Sequence, residues 1–312
     1  MNKLIIKKYI KNKSSANIYI IICILLIILL IIIFYYIKKK KENMENINNM
    51  ENQEDKILIV PSVCIGFFAC CAHILKVIID DTNNNNIIPK KIDTSQQFKI
   101  YKPSNIQGDI TTHFFKKRDD FEIKYIEFIK CEDNMQYLNY SNINYTPLTP
   151  FIEKYFSPSQ EIVDIENKLI QKYNINVNDY CAVYYRGTDK KEETTIGSFD
   201  TYIDKMNEML NTDKNIKFII QSDNTDFIDI IKSKFSNSIS FDENVSSKTD
   251  KGVHNENTPE DNYIIMKNFL AIVYLMAKCK YIICSSGNCS IWIMLFRGNG
   301  QNVKQFLNNE WL

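Results

Sequence analysis

Apolar and polar positions alternate along this chain in blocks whose periods predict a series of strands and helices. The first block is continuous rather than periodic: "NIYIIICILLIILLIIIFYYI", from Asn17 to Ile37, carries no charge and is long enough to cross a bilayer as a helix. It runs directly into Lys38 to Lys41 without a small-residue cleavage site, which favours an uncleaved anchor over a secretory signal. The charged, Asn-rich stretch that follows has no apolar period and predicts a stem up to residue 55. "KILIVPS" then starts folded sequence. Ile57 to Val60 form a strand pattern, "FFACCAHILKVIID" has helical spacing, and "IIPKKIDTSQQF" predicts a returning strand, so residues 56 to 98 have the shape of a βαβ unit. "TNNNN", Thr82 to Asn86, reads as an expanded loop, and the region up to Pro150 shows little period.

Beyond it the alternation is cleaner. Ser159 is placed to cap a helix ending near Tyr173, Tyr180 to Tyr185 reads as a buried strand, and Ser198 caps a helix through Leu210. Ile216 to Gln221 follows as a strand, Asn224 caps a helix to about Phe235, and Ser238 to Phe241 forms another short strand. After a polar loop, Thr258-Pro259-Glu260-Asp261 supplies a capping hydroxyl, a first-turn proline and two acids for a helix to about Ala277. "KYIICSSGNCSIWIMLFRG" predicts a strand, a Ser/Gly turn and a helix stopped by Gly298. Strands alternating with helices point to an α/β fold with parallel sheets. The expected organisation is a basic tail over 1–17, an anchor over Ile18 to Ile37, a stem over 38–55, and two Rossmann-like domains over 56–150 and 151–312.

Composition narrows the function. A formal net charge of +1 over 312 residues gives no basic surface for a nucleic-acid partner. Of nine cysteines, eight lie beyond the apolar segment, an even number that an oxidising lumen would allow to pair. Their spacings lack the paired pattern of a structural zinc site, so no metal is expected. Lysines flank the anchor almost equally and leave its orientation open. Sequons begin at Asn139, Asn144, Asn244 and Asn288, as so Asn-rich a chain produces by accident.

Three strand ends carry polar groups: Arg186 to Lys190, Ser222-Asp223-Asn224, and Ser285-Ser286-Gly287-Asn288. The carboxyl ends of parallel strands share one edge of a sheet, so these loops converge there. A guanidinium binds a diphosphate bidentately, and a Ser-Ser-Gly turn at a helix start adds donors aligned with the helix dipole. Arg186 paired with Asp189 as a turn ion pair, Asp223 and Asn224 as a helix cap, Ser285 and Ser286 as another cap, and Glu192 and Glu193 as solvated loop charges are the structural alternatives.

"VYYRGTDK", "KFIIQSDNTDF" and "YIICSSGNCS", in that order, resemble the strand-borne motifs of the fucosyltransferase superfamily, which has two Rossmann-like domains in the GT-B arrangement and includes α1,6-, α1,2- and protein O-fucosyltransferases. The resemblance covers Tyr180 to about Gly298, with support from the early loop at Gly66 and Phe67. It implies a metal-independent inverting transfer of fucose from GDP-fucose to a glycan or glycoprotein hydroxyl, with no cofactor. Arg186 takes the place of the arginine that stabilises the departing GDP, and Ser285 or Ser286 that of the phosphate-binding serine. Asp189 and Lys190 match the motif's Asp-Lys. Tyr184 stands where the family has a histidine, Gly187 where it has a second arginine, and Ile272 and Val273 near the position of an acid. Tyr184, Asp189, Lys190, Ser222, Asp223, Ser285, Ser286 and Gly287 are therefore the expected donor-site residues, with Glu192 or Glu193 the nearest candidates for a base. The resemblance also implies a type II orientation, with the domain in a secretory-pathway lumen. The alternative is a catalytically inactive relative with a binding or structural role.

Overall fold

The computed structural model describes residues 29–41, 57–63, 65–123, 128–132, 134–188, 194–244, 246–247 and 257–312. The chain divides into two units, Met1–Lys56 and Ile57–Leu312. In the first, residues 29–41 are helical, and the apolar side chains from Leu29 to Ile37 are exposed. Among the described residues no helix is long and apolar enough to cross a membrane. Most of the expected anchor, residues 18–28, and most of the stem, residues 42–55, lie outside them.

The second unit begins with the βαβ arrangement that the pattern predicts. Strand β1 (Ile57–Ile59) pairs in parallel with β2 (Lys91–Asp93) through the helix α1 (Phe67–Asn85). That helix runs on through Thr82–Asn85, which the sequence placed in a loop. Asn83 explains the extension, because its side chain donates to the Ile129 carbonyl at 2.8 Å and accepts from the Ile129 N–H at 3.0 Å. Asn86 then ends the helix in the left-handed conformation, which asparagine tolerates better than most residues. A single turn at Thr111–Phe114 leads into β3 (Phe115–Lys116), which pairs with β4 (Ser157–Pro158) across the helix α2 (Thr149–Tyr155). The expected boundary at 150/151 thus falls inside α2.

The remaining chain builds one six-stranded sheet. Its elements are α3 (Gln160–Tyr173), β5 (Tyr180–Tyr185), α4 (Phe199–Thr212), β6 (Lys217–Ser222), α5 (Thr225–Lys234), β7 (Ser238–Ile239), α6 (Pro259–Lys278), β8 (Tyr281–Ser285), α7 (Asn288–Arg297), β9 (Val303–Leu307) and β10 (Glu310–Trp311). The spatial order is β10-β9-β8-β5-β6-β7, all parallel except β10. The chain builds outward from β5 to β7, returns, and builds outward again from β8. The topological switch point therefore lies between β5 and β8, where open α/β sheets leave a crevice at their carboxyl edge.

Helices cover both faces. Cys181, Val183 and Tyr185 of β5 pack with α4 and α5, while Ala182 and Tyr184 face the larger core that includes α1, α6 and α7. All six β5 residues are buried, as a strand covered on both faces requires. Trp292 of α7 has no exposed surface and packs near Phe68, Phe156 and Phe296, tying the amino-terminal aromatic region to the sheet. The caps expected at Ser159, Ser198, Asn224 and Thr258 each accept from a first-turn N–H.

Candidate functional site

Strand register assembles the site. Tyr184 of β5 lies opposite Gln221 of β6 and Cys284 of β8. Side chains alternate along a strand, so Tyr184 and Arg186 share a face with Gln221 and Asp223. These four line one cleft of about 430 Å³ at the carboxyl edge of the sheet. Gly66, Phe67 and Phe68 at the start of α1 form another wall, α6 contributes Asn262 and Phe269, and α7 contributes Asn288 and Cys289. The aromatic side chains provide apolar surface, and Phe269 lies 5.9 Å from Phe68, edge-on, and 6.4 Å from Tyr184 between ring centres.

The electrostatics favour an anion. Two helices present their amino-terminal turns to the cleft, and neither Gly66 nor Gly287 gives its helix a side-chain cap. The first N–H groups of a helix have no intrahelical acceptor and stand at the positive end of its dipole. Some are satisfied internally: the Phe67 N–H donates to Tyr101 Oη at 3.0 Å, and the Gly287 N–H to Tyr140 Oη at 3.2 Å. Asn288 and Cys289 lie in the uncapped turn of α7. Arg186, with 27% of its side chain exposed, adds a full positive charge.

Asp223 organises this end of the cleft. One oxygen accepts from the Gly187 N–H at 2.9 Å and the other from Thr188 Oγ1 at 2.7 Å, with Arg186 Nε 3.7 Å from the latter. The β5 loop is thereby splinted to the end of β6, and the guanidinium is held through Nε. The arginine's carboxylate neighbour among the described residues is thus Asp223; Asp189, the partner weighed from sequence, lies outside them. Lys190, Glu192 and Glu193 lie outside them too.

The serines occupy a different place from the one expected. Ser285 and Ser286 are only 4% and 3% exposed. Ser286 Oγ donates to the Phe306 carbonyl at 2.8 Å and accepts from Gln305 Nε2 at 2.9 Å, while the Ser285 carbonyl accepts from Ser290 Oγ. The Ser286 side chain braces the turn between β8 and α7, the Ser285 hydroxyl is enclosed, and neither serine lines the cleft. Gly287 is bonded to Tyr140 through both its N–H and its carbonyl, so the turn is fixed from a distant loop. Ser222 is likewise buried, and its Oγ accepts from the Asn224 N–H at 3.0 Å. Gly66, Phe67, Tyr184, Arg186 and Asp223 are the expected site residues that the structure brings together.

Tyr184 and Cys289 stay neutral at ordinary pH: burial pushes the phenol well above its usual value and the thiol up to about 12. Cys71, Cys181, Cys279, Cys284 and Cys289 are buried free thiols. Among the described residues no three His, Cys, Asp or Glu side chains gather as a metal site.

Asn288 belongs to the third strand-end group read from the sequence, whereas sequence reasoning missed Gln221, Glu243, Asn244, Asn262 and Cys289 as cleft residues. Gln221 carried a signal, as the one amide closing the buried run Phe218 to Ile220. Glu243 and Asn244 carried none, because their turn reaches the cleft only through tertiary bonds. Although partial burial opposes it, Glu243 is held below the usual carboxylate range by Lys172 and Tyr173, whose side chains donate to its two oxygens at 2.8 and 3.1 Å. A lowered folded value means that these bonds contribute stability above the ordinary glutamate range and lose it as pH falls through the lowered value. Thermal melts between about pH 5 and 3 are therefore expected to show a steeper loss for the parent protein than for Glu243→Gln.

The fold and cleft define an α/β protein with a crevice at a topological switch point, lined by Arg186 and two helix starts. No protein-family model and no curated protein matches this chain. Among solved structures, it is similar to NodZ alpha-1,6-fucosyltransferase soaked with GDP-fucose, at 12% identity and a TM-score of 0.48, over 82% of this chain and 98% of that one. The same enzyme co-crystallised with GDP matches at 11% identity and a TM-score of 0.47, over 82% and 97% of the two chains. A mutant of Arabidopsis thaliana FUT1 in complex with GDP matches at 13% identity and a TM-score of 0.31, over 51% of this chain and 36% of that one.

Proposed function

We propose that this chain is a membrane-anchored, inverting glycosyltransferase of the fucosyltransferase-like GT-B kind, which transfers fucose from GDP-fucose to a hydroxyl of a glycan or glycoprotein. The observation that carries the reading is the meeting, in one cleft, of Arg186 with the amino-terminal turns of α1 and α7. A diphosphate leaving group gathers negative charge as its bond to the anomeric carbon breaks, and preorganised positive groups stabilise that charge most in the transition state. The order of the three strand-end motifs supports the same reading and points to GDP-fucose as the donor.

In this mechanism the acceptor hydroxyl attacks the anomeric carbon from the face opposite the diphosphate. The new carbon–oxygen bond forms as the old one breaks, the electron pair departs with GDP, and the hydroxyl proton passes to a carboxylate. Lys172 and Tyr173 hold Glu243 below the usual carboxylate range, which makes it a weak base, and Asp223 splints the end of β5 to β6, so we assign the base to Glu192 or Glu193, the next carboxylates in sequence after Thr188 apart from Asp189. Arg186 serves the leaving group directly, so the proposed transfer is metal-independent. The apolar segment Ile18 to Ile37 anchors the protein in type II orientation, with the second unit in a secretory-pathway lumen.

Full-length protein in detergent tests the reading. With EDTA present, millimolar GDP or GDP-fucose is expected to raise the melting temperature by mass action, and GDP is expected to be released in the presence of acceptor glycans. Binding without release would support the inactive relative, a reading favoured by the occupation of both described cleft carboxylates. Absence of a shift with any nucleoside diphosphate would remove the site altogether.

A further inference from the structure

The cleft carries charged groups at two separate places in an otherwise largely apolar lining. Arg186 and the two helix starts lie at the β5–β8 crevice, whereas Glu243 sits in the turn after β7, two strands away from β5. Neighbouring strands are about 4.8 Å apart, so the two charged groups mark positions on the order of 10 Å apart across the sheet edge. That is the reach of one nucleoside diphosphate from its terminal phosphate to its nucleoside.

The Glu243 end is built as an acceptor. Lys172 and Tyr173 each bind one carboxylate oxygen, and a carboxylate has about four lone-pair directions, so both oxygens retain acceptor capacity. The turn is anchored on its other side as well: the Asp242 N–H donates to Tyr173 Oη at 2.8 Å, and Asn244 Nδ2 donates to the Ser222 carbonyl at 3.1 Å. A carbonyl only accepts, which sets the orientation of the Asn244 amide. Asn244 Oδ1 in turn accepts from Gln221 Nε2, which sets the amide of Gln221. Gln221 is 3% exposed, and its Oε1 is enclosed without a hydrogen-bond partner among the described residues. Leaving a buried acceptor unpaired is costly, and at the wall of a cleft such a group stands where the described residues do not complete its bonding.

We propose that Glu243 is the residue that selects the nucleoside, accepting hydrogen bonds from a pair of adjacent donors on it: the ribose hydroxyls, or the N–H edge of guanine. The inference rests on the nucleoside-diphosphate reading above. Arg186 and the helix starts take the charge that every diphosphate shares. Glu243 distinguishes a nucleoside diphosphate from a bare one. The competing role for Glu243 is to pin its turn to α3 through Lys172 and Tyr173, which would affect stability but not selection.

The test is calorimetric binding of inorganic pyrophosphate, GDP, ADP and 2′,3′-dideoxy-GDP to the full-length protein and to Glu243→Gln. The parent is expected to bind GDP more tightly than pyrophosphate. The variant should lose roughly tenfold to a hundredfold in GDP affinity, as for a hydrogen bond to a charged group, with pyrophosphate affinity unchanged. A deficit of dideoxy-GDP on the parent would assign the donors to ribose, and a deficit of ADP would assign them to guanine. A variant that keeps the parent's preference for GDP, or loses pyrophosphate equally, overturns the role of Glu243 while leaving the nucleotide site standing. Failure of the parent to bind either GDP or pyrophosphate overturns the functional reading, and this inference with it. If Glu243→Gln does not fold, Lys172→Met leaves the carboxylate present but unanchored. It should narrow the GDP preference, and an unchanged preference would equally overturn the role.

Discussion

Arg186→Ala is expected to lower sugar transfer by about 100-fold or more, the usual order for deleting a preorganised charge stabiliser, with little change in melting temperature. The structure gives two reasons for the asymmetry. Arg186 stands beyond the buried strand and is partly exposed, so its removal opens no core cavity. Asp223 keeps its bonds from Gly187 and Thr188, so the loop stays splinted to β6. The loss of function is compounded because the Asp223 carboxylate would remain in the cleft without its cationic neighbour, facing an anionic ligand. Arg186→Lys restores the charge but not the planar fork, and partial rescue is expected. Asp223→Asn should behave differently, lowering stability as well as transfer, since it weakens the splint between the end of β5 and β6. Melting curves and transfer rates of the three variants decide the matter. A destabilised Arg186→Ala protein that still transfers at the parent rate would refute its role at the leaving group.

The sheet was legible in the sequence because its strands are short, continuous apolar runs and its helices carry explicit caps. Tyr180–Tyr185 and the helix starts after Ser159, Ser198, Asn224 and Thr258 occur where the pattern puts them. Asn83–Asn85 misled, since the helix there is stabilised by the distant bond pair to Ile129, which no local propensity reports. The terminal strands β9 and β10 were missed because only pairing to β8 makes β9 a strand, and only β9 supports β10.

The site divides in the same way. Arg186 and Asp223 could be picked out because a charge ending a buried strand is conspicuous. Ser285 and Ser286 looked like donors to a ligand, yet both are buried, and the Ser286 side chain is bonded to Gln305 and Phe306, a choice set by a strand 20 residues later. Glu243 was invisible, since nothing local distinguishes an acid in a polar turn from one held by Lys172 and Tyr173 at a cleft wall.

Gly187→Ala is expected to destabilise the protein by about 1–3 kcal/mol, the usual cost of overpacking, and to lower its melting temperature by several degrees. The cause is space rather than backbone conformation. A Cβ at position 187 would stand 2.3 Å from Tyr185 Cε1, a separation that real atoms do not reach. The ring cannot swing aside easily, because it stacks on Phe227 at 4.3 Å and meets Tyr202 and Phe199 edge-on at 5.1 and 5.4 Å. Relief must come from the backbone that carries Arg186 and donates the Gly187 N–H to Asp223, so transfer should fall along with stability. With tyrosine at 185 packed in this way, position 187 has room for glycine only. Gly187→Arg is therefore expected to show the destabilisation of Gly187→Ala, with no gain in GDP affinity to offset it. The decisive variant is Tyr185→Leu, which removes the clashing atoms at the cost of the aromatic stack. Combined with Gly187→Ala, it should give a loss smaller than the sum of the two single losses, since the clash exists only when both the ring and the Cβ are present. Strictly additive losses in melting free energy would show that the Tyr185 ring is not what holds position 187 to glycine.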